Sequence, residues 1–179
     1  MTAPAATTTW TIDPAHSHVE FSVKHLMIST VKGRFGELEG SVTVPGGTPA
    51  GSSVSATIRT ASIDTRNEQR DGHLRSADFF DVERFPAIEF RSTGVSGAPD
   101  GFTLTGDLTI RDVTRPITLQ VTLEGEGKDP WGGTRMGFSA SGKFDRREFG
   151  LVWNQALETG GVAVGHEVKL HIDAELVQA

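Results

Sequence analysis

The segment FTLTGDLTIRDVTRPITLQVTLE, residues 102–124, alternates apolar and polar side chains over two runs that a short turn separates. Residues 102–110 form the first run and residues 117–124 form the second. Successive side chains of a β-strand point to opposite faces of the sheet. The alternation therefore predicts two antiparallel strands, each with one apolar face and one face toward water.

The same alternation recurs along most of the chain. The clearest further runs are residues 19–24, 138–144 and 168–176, and weaker ones lie at 8–13, 33–44, 53–61 and 86–95. Turn residues such as Pro45-Gly46-Gly47 separate these runs, which together predict eight or nine strands. Residues 66–80 are the main helical or irregular excursion, and a short helix is expected near 145–149. A parallel sheet is disfavoured, because no helix long enough for a crossover lies between strands.

Strands with one apolar face must cover it, and the scarcity of helices leaves a two-sheet sandwich or a closed barrel. Several runs reach roughly nine residues or more, which favours tilted strands in a barrel of about eight. We therefore predict an all-β fold, a single antiparallel barrel with one short helical excursion. The expected domain covers residues 10–179 and follows a flexible segment over residues 1–9.

Composition narrows the classes of partner. The formal net charge of −6 disfavours a nucleic-acid-binding protein and a general binder of anionic membranes. The absence of cysteine excludes disulfide frameworks, thiolate nucleophiles and cysteine-ligated zinc. No apolar run approaches the ~20 residues of a transmembrane helix. The N-terminus lacks the basic and apolar regions of a signal peptide, so we expect a soluble, cytoplasmic protein.

Five segments together resemble the YceI-like, polyisoprenoid-binding family. They are DPAHSHVEFSVKHLMIS (13–29), VKGRFGELEG (31–40), SIDTRNEQRDGHLRSADFFDVERFPAIEFRST (62–93), LTGDLTIRDVTRPITLQV (104–121) and RREFGLVW (146–153). Asp112 departs from the glycine that is usual in the family's turn, although aspartate tolerates that geometry. The resemblance implies a lipocalin-like barrel whose apolar channel holds an isoprenoid or similar fatty tail. It also implies a carrier without catalysis, and a homodimer in some members. No cofactor is predicted.

The inward positions of the predicted strands mix large apolar residues with small ones such as Gly106, Gly142, Ala140 and Ala174. Alternation alone gives equal weight to an open lumen and to a close-packed core. The residues predicted to line an open lumen and contact the lipid are Phe21, Val23, Phe79, Phe90, Leu104, Leu108, Leu119, Val121, Phe138, Phe144, Phe149, Trp153, Leu170 and Ile172. Trp153 and Phe149 are expected to close the end of the channel opposite Phe79.

The densest polar group in the excursion offers a second type of contact. Arg70, His73 and Arg75 could bind a lipid head group, because guanidinium groups match phosphate oxygens. The competing interpretation, which the nearby acidic residues favour, is a structural cluster. In that case Arg70 or Arg75 pairs with Asp71 or Asp78 and fixes the excursion onto the barrel.

No pattern in the chain matches a known catalytic or metal-binding motif. His16 and His18 are spaced so that a metal could use both, but a structural role is favoured and no metal ligand is predicted. Our primary hypothesis is a non-catalytic carrier of a polyisoprenoid or isoprenoid quinone. One alternative is a small lipid-modifying enzyme that uses His16, His18 or His73 as a general base. Another is an interaction module with a solid core.

Overall fold

The computed structural model describes residues 2–3 and 5–179, and most of these residues lie in antiparallel strands. The strands are β1 (Thr8–Ile12), β2 (His18–His25), β3 (Ser29–Phe35), β4 (Leu38–Val44), β5 (Ser53–Arg59), β6 (Ile63–Asp64), β7 (Ala87–Ala98), β8 (Gly101–Ile110), β9 (Val113–Lys128), β10 (Thr134–Asp145) and β11 (Glu167–Gln178). Helix α1 covers Glu68–Arg75, and short 3₁₀ turns cover Pro45–Gly47, Thr60–Ser62 and Arg146–Phe149.

Eight of the strands close into a barrel in the order β1-β4-β5-β7-β8-β9-β10-β11, and β11 pairs back onto β1. All neighbouring pairs in this ring are antiparallel. The alternation holds on β9, where Ile117, Leu119 and Val121 are buried while Thr118 and Gln120 are exposed. The predicted all-β barrel of about eight strands with one short helix is confirmed.

Three further strands extend the sheet at one end of the barrel. Strands β1 and β2 both pair with β11, through Ile12 opposite Leu176 and His18 opposite Asp173, so residues 13–17 are a kink between them. Beyond the kink, β2 pairs with β3, and β3 pairs with β6. We call this end, which also carries α1 and residues 150–166, the mouth. The opposite end, with residues 45–52 and 129–133, is the floor.

The predicted strand over residues 33–44 is two strands, because the chain changes partner at Gly36. Residues up to Phe35 pair with β6, and residues from Leu38 onward pair with β5. Between them the backbone N–H groups of Gly36 and Glu37 bond to the carbonyl and hydroxyl of Ser62. The bend therefore lies at Gly36, while Gly33 lies inside β3.

The helical segments are shorter than their predicted ranges. Within residues 66–80, only Glu68–Arg75 is α-helical, and the Asn67 side chain caps it by accepting a bond from the Arg70 N–H at 2.9 Å. The helix expected near 145–149 is the 3₁₀ turn at Arg146–Phe149. No helix in the described part of the chain is long and apolar enough to span a membrane.

The predicted flexible segment over residues 1–9 falls partly on Met1 and Pro4, which lie outside the described residues. Within the rest of that segment, Thr8 and Thr9 already belong to β1 and pair with β4. The barrel therefore includes two residues that the predicted domain boundary leaves out.

Candidate functional site

The barrel encloses a cavity of about 660 Å³. Pockets that accept drug-sized molecules usually measure about 300–1,000 Å³. The wall is formed almost entirely by apolar side chains from the strands, with polar groups confined to the mouth. A cavity of this size and polarity can hold an apolar guest, and it excludes the solid core that alternation alone left open.

All but one of the residues predicted to line the lumen border this cavity. They are Phe21, Val23, Phe79, Phe90, Leu104, Leu108, Leu119, Val121, Phe138, Phe144, Trp153, Leu170 and Ile172. Their contact with a lipid stays a prediction.

The exception is Phe149, which was predicted to line the lumen but does not border the cavity. Its side chain is only 1% exposed and packs edge-on against Phe144, with 5.1 Å between ring centroids. Phe149 ends the 3₁₀ turn that follows β10, so its side chain is placed by that turn and not by the inward row of the strand. It supports the wall from behind.

Two glycines keep bulky rings away from the centre of the barrel. A Cβ atom added to Gly106 would lie 2.4 Å from the Phe90 ring, and one added to Gly33 would lie 2.4 Å from the Phe21 ring. Each ring therefore occupies the space beside a glycine of the adjacent strand, where a larger residue would clash with it. The small residues open the lumen by giving the aromatic side chains a place against the wall.

Part of the cavity wall is formed by residues that were not predicted from the sequence. Strands β1, β4 and β5, where alternation is weak, contribute Ile12, Leu38, Val42, Val54, Ala56 and Ile58. At the mouth, the irregular segment 150–166 contributes Gln155, Leu157, Ala163 and Val164, and the β2–β3 turn contributes Leu26. Irregular segments have no regular alternation of apolar and polar residues, so the sequence pattern does not identify the wall residues of segment 150–166 or of the β2–β3 turn.

An aromatic cluster stands at the mouth. The rings of His73 and Trp153 meet edge-on at 4.6 Å between centroids, and Phe79 lies 5.5 Å from Trp153. Trp153 was predicted to close the end opposite Phe79, and this prediction is wrong. The segment 150–166 folds back over the same end as α1, because His25 of the β2–β3 hairpin bridges to Val164.

The predicted head-group residues are only partly at the cavity. Arg70 and His73 border it, whereas Arg75 points away and donates to the carbonyls of Ala61 and Ile63. Arg70 donates through Nε and Nη2 to the hydroxyl and carbonyl of Thr65, at 2.8 and 2.7 Å. Both guanidinium groups thus bind the backbone before α1.

The ion pairs predicted for this excursion do not form either. Asp71 is buried and accepts from the backbone N–H and the hydroxyl of Thr65. Asp78 pairs with His73, whose Nε2 lies 2.9 Å from a carboxylate oxygen. Hydrogen bonds from arginine to backbone carbonyls, and from the backbone to aspartate, fix the excursion onto the barrel. These polar residues therefore have a structural role, but through partners other than the predicted arginine–aspartate pairs.

Arg146 is a buried polar wall residue that was not predicted from the sequence. It is 3% exposed, and its guanidinium donates to the carbonyls of Leu151, Trp153, Val164 and Gly165 at 2.7–3.2 Å. Burial lowers the pKa of this group, yet an arginine remains charged in proteins. Arg146 therefore ties both ends of segment 150–166 to the barrel and places a fixed cation at the mouth.

The floor end carries a separate ionic cluster on the outside of the barrel. Ligand-type atoms of Asp13, His16 and Glu175 lie within 4.8 Å of one another. The Arg135 guanidinium donates to both carboxylates at 2.8 Å, and to Asp129 at 2.9 Å. Since a fixed cation already bridges these carboxylates, we interpret the group as an ion-pair network that braces the kink after β1.

This network predicts an acid-dependent loss of stability. Hydrogen bonds from His16 and then Arg135 lower the Asp13 pKa from 3.8 to about 2. A carboxylate with a lowered folded-state pKa stabilises the fold above pH ~4, and this stabilisation is lost as the pH falls through 2. We expect the Asp13→Asn variant to show a shallower fall in melting temperature over this range than the wild type.

Thermal unfolding monitored by circular dichroism at stepped pH measures this difference. Asp112→Asn is the matched control, because Asp112 forms no ion pair with any described residue. It should keep the wild-type slope. Equal slopes for Asp13→Asn and the wild type would contradict the assignment.

The three histidines considered as general bases lie apart. His16 faces the floor-end cluster, and His18 lies 3.4 Å from carboxylates of Glu20 and Asp173. Neither borders the cavity, whereas His73 does. Of these three histidines, His73 is the one placed to act on a guest in the lumen.

A family model described as a YceI-like domain matches residues 10–176 of the chain. Protein YceI of Escherichia coli O17:K52:H18 (strain UMN026 / ExPEC) is 41% identical over 163 residues, which cover 91% of this chain and 82% of the relative.

Solved structures have the same architecture. Burkholderia cenocepacia BcnA superimposes with a TM-score of 0.78 at 23% identity, covering 92% of this chain and 98% of BcnA. A polyisoprenoid binding domain from Saccharophagus degradans, implicated in plant cell wall breakdown, superimposes with a TM-score of 0.71 at 13% identity, covering 95% of this chain and 98% of the domain. At these identities the two structures bear on the fold alone.

Proposed function

The chain belongs to the YceI-like domain family, and from this premise we propose that it binds one long-chain apolar lipid in the barrel lumen without altering it chemically. The observation that carries the proposal is the cavity of about 660 Å³ inside the barrel, which has an apolar wall. The lipid class we propose is a polyisoprenoid or an isoprenoid quinone. The name of the Saccharophagus degradans domain supports this class.

The driving force is removal of the tail from water. Burial of apolar surface contributes about 25 cal/mol per Å², and a tail inside the barrel is surrounded by wall on all sides. Part of this gain offsets the loss of motion on binding. Affinity therefore depends on how much of the tail the lumen encloses, with little demand for hydrogen bonds.

The mouth limits the head group. The donors of Arg70 and Arg146 are directed at backbone carbonyls, and His73 is paired with Asp78. A phosphate would have to displace these bonds to obtain its own. We therefore propose a small neutral head, such as an alcohol or a quinone ring, at the mouth.

Organic extraction of the purified protein followed by mass spectrometry tests the proposal. We expect about one isoprenoid lipid per protein chain after purification from its own host. Incubation of the loaded protein should leave the mass of that lipid unchanged. Repeated absence of any lipid would contradict the carrier, and a changed mass that His73→Ala abolishes would favour the enzyme.

A further inference from the structure

The turn between β2 and β3 exposes three consecutive apolar side chains at the mouth. Leu26, Met27 and Ile28 form the turn, and Met27 and Ile28 are 60% and 83% exposed to water. Leu26 and Met27 have φ angles of 52° and 62°, a region that glycine and asparagine occupy more easily. Glycine or asparagine would suit a turn that only faces water. The apolar residues at these positions therefore indicate an apolar environment for this turn.

The exposed turn is continuous with the cavity. Leu26 borders the lumen, and its N–H bonds to the carbonyl of Ala163 at 2.9 Å, so the hairpin is held against segment 150–166. That segment exposes Val152, at 64%, at the same end. We call Leu26, Met27, Ile28 and Val152 the mouth patch. A tail leaving the lumen passes from apolar wall to apolar patch.

The hairpin that carries the patch is locally basic, although the chain is acidic. Residues 21–36 contain Lys24, Lys32 and Arg34 and no carboxylate, whereas the whole chain has a net charge of −6. Both lysines are exposed, and the Lys24 Nζ donates only to the Thr30 hydroxyl at 3.2 Å. Among the described residues, neither lysine forms an ion pair.

Carboxylates do approach the edges of this basic surface. Glu20 and Asp64 are the cross-strand neighbours of Arg34 on either side, which reduces the local charge of that arginine. Glu158 is the single carboxylate of residues 150–165, which face the hairpin. The turn-proximal part of the hairpin, with Lys24 and Lys32, keeps its positive charge.

We propose that the mouth patch inserts into the surface of an anionic lipid bilayer, with Lys24 and Lys32 against the anionic head groups. This inference rests on the proposed function, since it lets the lipid pass between bilayer and lumen without crossing water. Apolar side chains on a protruding turn suit the boundary between head groups and acyl chains. Each lysine near an anionic surface strengthens binding by about fivefold. The overall negative charge disfavoured such binding, but that average does not describe the hairpin.

Flotation with phosphatidylcholine vesicles that do or do not contain phosphatidylglycerol tests the proposal. We expect the wild type to float with the anionic vesicles. Lys24→Glu combined with Lys32→Glu should weaken this binding by roughly 25-fold or more. Met27→Asp combined with Ile28→Asp should weaken it by at least about tenfold. Ile28→Asp alone should show a smaller loss, and this exposed side chain can change without disturbing the fold.

Floor-end variants provide matched controls. Trp131 is 85% exposed, and Lys128 lies at the end of β9, so Trp131→Asp and Lys128→Glu make the same kinds of change away from the mouth. Both should float like the wild type. Mouth variants that float normally, or floor variants that do not, would overturn the proposal. A wild-type protein that floats with neither vesicle type would contradict binding to a bilayer and would favour a protein partner for the mouth patch.

Lipid uptake from detergent separates this inference from the proposed function. The variant with Met27→Asp and Ile28→Asp should load lipid from detergent as the wild type does, because neither side chain borders the lumen. A protein that floats with vesicles yet never takes up lipid would contradict the carrier and leave the docking surface standing. A protein that loads lipid but does not bind vesicles would contradict the docking surface and leave the carrier proposal standing.

Discussion

Replacing Leu108 by Trp is expected to lower lipid affinity by roughly seventyfold while the barrel stays folded. Leu108 is buried on β8 and borders the cavity, so the indole would extend into space that the tail needs. Excluding roughly 100 Å² of tail from the wall costs about 2.5 kcal/mol, which corresponds to that factor in Kd. Overpacking normally costs about 1–3 kcal/mol of stability, and the open lumen should keep the cost at the low end.

Titration with a fluorescent isoprenoid, beside a denaturant melt, measures both quantities. Asp107→Trp adds the same side chain one position away, on the outer face of β8, and should bind like the wild type. Unchanged affinity in the Leu108→Trp protein would show that the lipid lies elsewhere.

Replacing Arg146 by Met is expected to lower the free energy of unfolding by about 3–5 kcal/mol. The four carbonyls that the guanidinium satisfies would lose a charged donor, and each buried carbonyl left unpaired is costly. Segment 150–166 would then open more often. Because this segment forms part of the mouth, a bound lipid should also leave faster.

Urea denaturation and hydrogen exchange of residues 150–166 measure the two consequences. Arg147→Met is the matched control, because the Arg147 guanidinium is half-exposed and pairs with Asp145 at 2.6 Å. An exposed pair of this kind contributes at most about 1 kcal/mol. Equal losses for the two variants would mean that Arg146 does not hold the segment.

The strands that sequence analysis placed best are those with a strict period. Phe102, Leu104, Leu108 and Ile110 of β8 and Ile117, Leu119 and Val121 of β9 border the lumen at alternate positions, so the pattern gives both the strands and their wall residues. Pairing between strands that are distant in the sequence produces no comparable pattern of alternating residues. The change of partner at Gly36, which divides residues 33–44 into two strands, depends on contacts with Ser62 that no local pattern contains.

Arg146 carried a signal that was available and unused. The inward row of β10 runs through Phe138, Ala140, Gly142 and Phe144, and the next position in the same phase is Arg146. An arginine that continues an inward row predicts a buried guanidinium with several backbone partners. Trp153 offered no comparable signal, because segment 150–166 is irregular and its fold depends on the very carbonyls that Arg146 binds.

The tryptophans allow the position of the bound tail to be measured. Trp153 borders the cavity, whereas Trp131 is 85% exposed at the floor end. Two proteins are needed, one with Trp10→Phe and Trp131→Phe and one with Trp10→Phe and Trp153→Phe. Each is titrated with an isoprenoid brominated along its tail, which quenches an indole on contact. We expect Trp153 emission to fall and saturate at one lipid per chain while Trp131 emission stays constant. Quenching of Trp131, or binding that leaves Trp153 unquenched, would contradict a tail held inside the barrel.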